Sequence, residues 1–217
     1  MKAIILLGAP GAGKGTAAED LKQQVGIAHI STGDMLREAI RAGTPVGREA
    51  KAYMEKGELV PDDVILRIVR DRLQAGNPDS YYMFDGFPRN VHQAELLDDL
   101  MAKLGGEITH VFMLEVAREV VIRRISNRRV CRQCGAVYNL NGMRPKVDGV
   151  CDVCGGEVYQ RADDNETTVA NRLDVFQRET APLMAYYEGK GKLMRIDALD
   201  RKETEEQILR HLDIDSQ

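Results

Sequence analysis

The sequence predicts an α/β fold in which helices flank a parallel sheet. Short apolar runs alternate with segments of helical periodicity, and the first apolar run ends in a glycine-rich turn. This alternation is typical of parallel strands joined by crossover helices. The runs predict five strands, in chain order: Lys2–Gly8, Ile27–Ile30, Tyr81–Asp85, Ile108–Val116 and Lys192–Asp197.

The first element, Lys2–Gly8, is continuously apolar, as expected of a strand buried on both faces. Ala17, Leu21 and Val25 then recur at helical spacing in a segment from about Lys14 to Val25. Further helices are predicted at Asp34–Arg41, Val46–Lys56, Asp62–Gln74, Val91–Lys103, Glu119–Asn127, Glu166–Glu188 and Lys202–Leu212.

Two stretches depart from the alternation. The chain from about Ser31 to Gln74 has several helical segments and no strand, and Arg128 to Asp164 turns to glycine, cysteine and short polar pieces. Both are interpreted as excursions from the sheet. A chain of 217 residues suffices for one core with one or two such insertions.

Composition limits the function. The 43% hydrophobic and 29% charged residues are typical of a soluble globular protein. The formal net charge of −4 argues against a general nucleic-acid binder. The apolar run Ala3–Leu7 is too short for a signal peptide, and no stretch is long enough to cross a membrane, so a cytoplasmic protein is expected.

The segment "GAPGAGKGT" (Gly8–Thr16) predicts a phosphate-binding loop, because it lies between a strand and a helix. Glycines allow backbone N–H groups to surround phosphate oxygens, and Lys14 supplies a mobile positive charge. The hydroxyl of the usual motif comes one residue late, at Thr16. Asp85 ends the third predicted strand, a position from which a carboxylate can hold Mg²⁺, directly or through water.

The four cysteines form two C-x-x-C pairs, Cys131/Cys134 and Cys151/Cys154, with 16 residues between the pairs. This spacing predicts tetrahedral zinc, with iron as the alternative metal. Four thiolates leave no open coordination position, which predicts a structural site. The segment has few apolar residues of its own, so metal binding can replace the missing core.

Six stretches together resemble the adenylate kinase family, in the long-lid bacterial form with a zinc knuckle. They are "GAPGAGKGT", "ISTGDMLR" (Ile30–Arg37), "KGELVPD" (Lys56–Asp62), "DGFPRNVHQAE" (Asp85–Glu95), "NRRV" (Asn127–Val130) and "YQRADDNETTVANRL" (Tyr159–Leu173). The resemblance implies a P-loop nucleoside monophosphate kinase fold with a five-stranded parallel core. It implies a core of residues 1–30, 61–127 and 166–217, an AMP-binding insertion at 31–60 and a lid at 128–165.

The implied reaction is ATP + AMP ⇌ 2 ADP with Mg²⁺, catalysed by a monomer. Implied catalytic residues are Lys14, Arg89, Arg128, Arg161 and Arg172. Implied ATP contacts are Gly11, Ala12, Gly13, Lys14, Gly15, Thr16, Arg124, Arg128, Val137, Tyr138 and Asp200. Implied AMP contacts are Thr32, Arg37, Glu58, Leu59, Val60, Gly86, Phe87, Pro88, Arg89, Gln93, Arg161 and Arg172. Asp85 would hold Mg²⁺ through water.

Two geometric expectations accompany these roles. Arg124 and Arg128, at i and i+4, are expected on one helical face that points into the lid hinge, and Arg89 and Gln93 are expected to share another. Ala17 and Ala198 replace residues frequent in the family, glutamine and glycine. A kinase for another monophosphate, such as UMP or CMP, remains the close alternative. A nucleotide-gated module that holds nucleic acid through the cysteine segment is the distant one. The four histidines match no ligand spacing and receive no catalytic role.

Overall fold

The computed structural model describes residues 1–77 and 80–212. In chain order, its first elements are β1 (Lys2–Gly8), α1 (Lys14–Val25), β2 (Ala28–Ser31), α2 (Thr32–Arg41), α3 (Pro45–Lys56), α4 (Asp62–Gln74), β3 (Tyr81–Asp85), α5 (Val91–Lys103), β4 (Glu107–Glu115) and α6 (Arg118–Ser126). There follow β5 (Arg128–Cys131), β6 (Val137–Asn139), β7 (Val158–Tyr159), α7 (Glu166–Val175), the π-helical turn (Phe176–Thr180), α8 (Pro182–Gly189), β8 (Leu193–Asp197) and α9 (Arg201–His211).

The core sheet has five parallel strands in the order β2-β3-β1-β4-β8, which confirms the predicted fold class. Successive β1 side chains point to opposite faces of the sheet. Ile5 and Leu7 pack with α4, α5 and α8, whereas Ile4 and Leu6 pack with α1 and α9. Burial on both faces explains the continuous apolar sequence of β1.

All five strands run in the same direction, so their carboxyl ends meet at one edge of the sheet. The glycine-rich loop follows β1, α2 follows β2, and the segment from Gly86 to Asn90 follows β3. Ligands of open α/β sheets bind in the crevice at this edge. The topology therefore brings most of the predicted site residues to one place.

Both excursions are present. The first consists of α2, α3 and α4; Gly47 permits close contact between the first two helices, since an added Cβ would lie 2.1 Å from the Ala39 oxygen. The second contains an antiparallel sheet in the order β6-β5-β7. Strands of two to four residues are too short to show alternation, which explains why the sequence did not predict them.

Predicted element boundaries agree with the structure to within two residues, with one exception. The single long helix predicted over Glu166–Glu188 is wrong, because a π-helical turn divides it into α7 and α8. Pro182 has no N–H and its ring crowds the carbonyl four residues earlier. The Ala181 N–H instead donates to the Phe176 oxygen at 2.9 Å, an i to i−5 bond. Within the described residues, no helix is both long and apolar enough to span a membrane.

Candidate active site

The glycine-rich loop turns sharply between β1 and α1. Gly11 has φ 81° and Gly13, the residue before α1, has φ 106°. A Cβ added to Gly11 would lie 2.6 Å from Cγ1 of Ile125 in α6. Both the backbone conformation and the packing therefore require glycine at position 11. Within the loop, the N–H groups of Ala12 and Thr16 donate to the Ala9 and Gly13 oxygens at 3.0 Å. A glycine-rich turn at the start of a helix is a typical anion-binding site.

Lys14 lies in the first turn of α1. Its ammonium group donates to the carbonyl oxygens of Gly8 at 2.8 Å and Ala9 at 3.1 Å. Burial lowers the pKa of Lys14 from 10.5 to about 8, against the charge of Asp85 and with the help of nearby arginines. Burial thus destabilises the charged form of Lys14, and the negative charge of a bound phosphate would stabilise it.

Asp85 lies beside the start of α1, where a Cβ added to Gly15 would be 3.8 Å from its Oδ2. His29 Nε2 is 3.6 Å from the same oxygen. Burial tends to raise the pKa of Asp85, but the His29 ring and the charge of Lys14 outweigh it, so the pKa is lowered. Asp85 is therefore ionised at neutral pH, the form that holds Mg²⁺.

A cationic cluster surrounds the loop: Lys14, Arg37, Arg89, Arg128, Arg161 and Arg172. Four carboxylates lie among these six cations: Asp34, Asp85, Asp163 and Asp164. Six positive and four negative groups give the cluster a net charge of +2. Burial, followed by repulsion from neighbouring arginines, lowers the pKa of Arg161 to about 10. Such a cleft concentrates polyanions.

Two arginines of the cluster, Arg128 and Arg172, are each held by an acid. Arg128 donates through Nε to Asp164 at 2.9 Å and through Nη2 to the other carboxylate oxygen. Arg172 donates to Asp163 at 2.9 Å. These paired geometries orient the planar guanidinium groups and offset their burial. The sequence analysis did not assign these aspartates, although both stand beside Arg161 in "RADDNE".

Asp34 connects the two excursions. Its Oδ1 accepts from Arg37 at 2.6 Å within α2, and from Arg161 of the second excursion at 3.0 Å. Desolvation tends to raise the pKa of Asp34, but the charges of the two arginines lower it to about 2. This residue was also missed by the sequence analysis.

The predicted common helical face of Arg124 and Arg128 is wrong. Helix α6 ends at Ser126, and Arg128 begins strand β5. Arg124 instead donates to the carbonyls of Ala12 (3.3 Å), Ala198 (3.0 Å) and Leu199 (2.6 Å). Arg124 therefore joins the glycine-rich loop to the loop after β8. Asp200, which follows in that loop, caps α9 with its side chain.

The expected shared helix of Arg89 and Gln93 is also wrong, because α5 begins at Val91. Gln93 accepts from the Arg89 N–H at 2.8 Å and donates to Asp62 at 2.6 Å, so both ends of its amide are engaged.

A cavity adjoins Arg89. Its lining includes Leu59, Gly86, Pro88, Arg89, Lys14 and Arg172. Thr32 closes the site from α2 by donating to the Gly86 oxygen at 3.0 Å. Of the other residues expected on this side, Glu58 and Val60 lie between α3 and α4, and Phe87 is buried after β3.

The four cysteines form one cluster, in which all Sγ atoms lie within 4.8 Å of one another. Cys131 and Cys154 are 3.5 Å apart, as are Cys134 and Cys151. Zinc–sulfur bonds of 2.3 Å in a tetrahedron place sulfurs about 3.8 Å apart. The residues present therefore fit a tetrahedral metal.

Tyr138, expected at the ATP site, directs its side chain into this cluster. Its hydroxyl contacts Cys151 Sγ at 3.3 Å and accepts from the Asp152 N–H at 2.8 Å. This hydroxyl is the main cause that lowers the pKa of Cys151 to about 6. The phenol is buried, so any nucleotide contact by Tyr138 falls to its backbone in β6.

A family model described as adenylate kinase matches residues 6–192. The chain is 52% identical over 194 residues to an adenylate kinase of Carboxydothermus hydrogenoformans, covering 89% of this chain and 91% of that protein. It is 53% identical over 196 residues to one of Syntrophobacter fumaroxidans, covering 90% and 92%. It is 46% identical over 215 residues to one of Caldicellulosiruptor saccharolyticus, covering 98% and 99%.

Lys14→Met should raise the melting temperature at pH 7, because it removes a buried charge whose folded-state pKa of about 8 lies below 10.5. The cost of that charge is fully present below pH 8 and disappears as the pH rises to about 10.5, so the gain should shrink over that interval. Calorimetry across pH 7–10.5 measures it. Lys22→Met, an exposed change in the same helix, should show no such trend. A pH-independent difference for Lys14→Met would contradict the assignment.

When both proteins are loaded with zinc, Tyr138→Phe should release the metal to a chromogenic chelator about tenfold or more faster than the parent protein, because the hydrogen bond to Cys151 is lost. Tyr159→Phe in the neighbouring strand β7 is the matched control and should release zinc at the parent rate. Equal release rates for both variants would show that the hydroxyl does not support the metal site.

Proposed function

Because the chain belongs to the adenylate kinase family and is an ATP:AMP phosphotransferase that forms two ADP, we propose how its described residues divide this reaction. The observation that carries the proposal is the cationic cluster around Lys14, with its net charge of two positive. Phosphoryl transfer disperses negative charge over the moving group, so catalysis depends on positioning and on cations at the oxygens.

The donor side is assigned to the glycine-rich loop. The N–H groups of Gly11–Thr16 and the Lys14 ammonium hold the ATP phosphates, with Lys14 exchanging its loop carbonyls for phosphate oxygens. Arg124 lies against the adenine, beside the backbone near Asp200 and the backbone of Val137 and Tyr138. Asp85 would hold, through water, the Mg²⁺ that accompanies ATP, and that ion would supply positive charge to the phosphates.

The acceptor side is assigned to the cavity after β3. Arg37 and Arg89 grip the AMP phosphate, and Leu59, Gly86 and Thr32 line the nucleoside. The adenine edge is assigned to Gln93, with the backbone of 58–60. Since Gln93 is bonded to Asp62 and to the Arg89 backbone, reading the base requires it to exchange one of these partners.

The transferring group lies between the two sides. Arg128, Arg161 and Arg172 contact its oxygens as negative charge develops, and Asp163 and Asp164 hold two of these arginines in orientation. Residues 128–165 act as a lid that closes over ATP and excludes water, which otherwise competes with AMP. Residues 31–60 form the AMP-binding insertion, and 1–30, 61–127 and 166–217 the core, of which residues 78–79 and 213–217 lie outside the described part of the chain.

Zinc is assigned to the lid as a structural metal, with iron as the alternative. The lid's own buried apolar cluster consists of Cys131, Tyr138 and Cys151, so a metal replaces a core that the segment lacks. The knuckle also contacts the AMP-binding insertion, since Arg41 donates to the Arg132 oxygen at 2.9 Å. The net charge of −4 supports the assignment of no nucleic-acid partner, and the monomer is what the family resemblance implies.

AMP should be the preferred acceptor. With ATP and Mg²⁺, kcat/KM for AMP should exceed that for GMP, CMP and UMP by about a hundredfold or more, because mismatched bases leave polar groups in the pocket unpaired. A coupled assay of ADP formation over the four acceptors measures this. Comparable activity with UMP or CMP would overturn the specificity, and no transfer to any acceptor would overturn the whole assignment.

Arg128→Lys should lower kcat on the order of 10³-fold, because lysine lacks the forked donors that meet both Asp164 and phosphoryl oxygens. Steady-state kinetics with AMP and ATP measure the loss, and circular dichroism reports the fold. Arg70→Ala, an exposed arginine of α4, is the control and should retain the parent rate. A loss below tenfold in Arg128→Lys would remove this residue from the clamp.

A further inference from the structure

Thr180 is a buried polar residue that the division of labour above does not use. It is 7% exposed and lines the same cavity as Arg89 and Arg172. Its hydroxyl donates to the Arg89 carbonyl oxygen at 2.8 Å, across 91 positions of sequence. A buried hydroxyl directed at the backbone of an active-site arginine calls for an explanation beyond packing.

The π-helical turn Phe176–Thr180 sets the position of this hydroxyl. Pro182 prevents the regular i to i−4 ladder, and the Ala181 N–H bonds the Phe176 oxygen instead. A π turn inserts one residue and so rotates the following helix by about 100° relative to an uninterrupted one. Thr180 is the last residue of this turn, and α8 continues from there with Leu183 and Tyr187 buried in the core.

Arg89 depends on such contacts because it lies outside regular structure, between β3 and α5. Its N–H is held by the Gln93 amide at 2.8 Å, and its Nε donates to the Gly86 oxygen at 2.8 Å. Thr180 supplies the contact on the remaining backbone group, the carbonyl. Together these bonds fix the backbone from which a buried guanidinium reaches into the cavity.

We propose that Thr180 is a positioning residue for acceptor binding: its hydroxyl holds the Arg89 backbone so that the guanidinium meets the phosphate of the nucleoside monophosphate. The inference rests on the proposed role of Arg89. Arg172 and Thr180 belong to one continuous segment, α7 with the π-helical turn. This segment thus sets the separation between the arginine that clamps the transferring group and the arginine that grips the acceptor.

The test compares Thr180→Val, which keeps the shape and removes the donor, with Thr180→Ser, which keeps the donor. One lost hydrogen bond of about 1 kcal/mol corresponds to about fivefold, and misplacement of the acceptor can lower the rate further. Thr180→Val should therefore raise KM for AMP about fivefold or more and leave KM for MgATP unchanged. Thr180→Ser should remain near the parent values.

Two further variants separate the possible failures. Thr109→Val removes a hydroxyl bonded to the Ala3 oxygen in the sheet, and it should lower the melting temperature without changing either KM.

Arg89→Lys should raise KM for AMP. If it does and Thr180→Val does not, the positioning role is overturned while the site stands. If Thr180→Val raises both KM values alike and Thr180→Ser does the same, Thr180 is only structural and the proposal fails. If Arg89→Lys leaves KM for AMP unchanged, the acceptor site itself is wrong, and the positioning role falls with it.

Discussion

The mutual repulsion of cations in a partly buried cleft is the constraint on which the rest of the structure depends. Lys14 and five arginines must lie close enough to surround one transferring group, and burial already lowers the pKa of Lys14 and Arg161. Such an arrangement is stable only if carboxylates are placed among the cations. Asp163 and Asp164 do so by holding Arg172 and Arg128, and they leave a net positive charge for the phosphates.

The same constraint explains why the site is assembled from separate elements. Lys14 comes from the loop after β1, Arg37 from α2, Arg128 from β5 and Arg172 from α7. In the proposed mechanism, elements that move relative to one another bring the last of these cations to the phosphates when ATP binds. In the proposed mechanism, the lid therefore needs internal rigidity without a large core, which four thiolates around a metal supply and the Tyr138 hydroxyl supports.

Much of the fold and several parts of the site were predictable. Strand and helix boundaries followed from apolar periodicity, and the loop at Lys14, the carboxylate of Asp85 and the cysteine cluster followed from motif spacing. The wrong predictions all concern where a helix begins, ends or is interrupted. The long helix failed at Pro182, and the pairs Arg124/Arg128 and Arg89/Gln93 were placed on helices that end at Ser126 or begin at Val91.

The sequence by itself determined the α/β class, the phosphate loop and the metal-binding spacing, because each is encoded by residues near one another along the chain. The tertiary structure alone decided that Asp34 bridges Arg37 and Arg161, and that Tyr138 faces Cys151. Asp34 and Arg161 are 127 positions apart in sequence, and Tyr138 and Cys151 are 13. Whether two such side chains meet depends on the packing of whole elements, and local pattern contains no information about that packing.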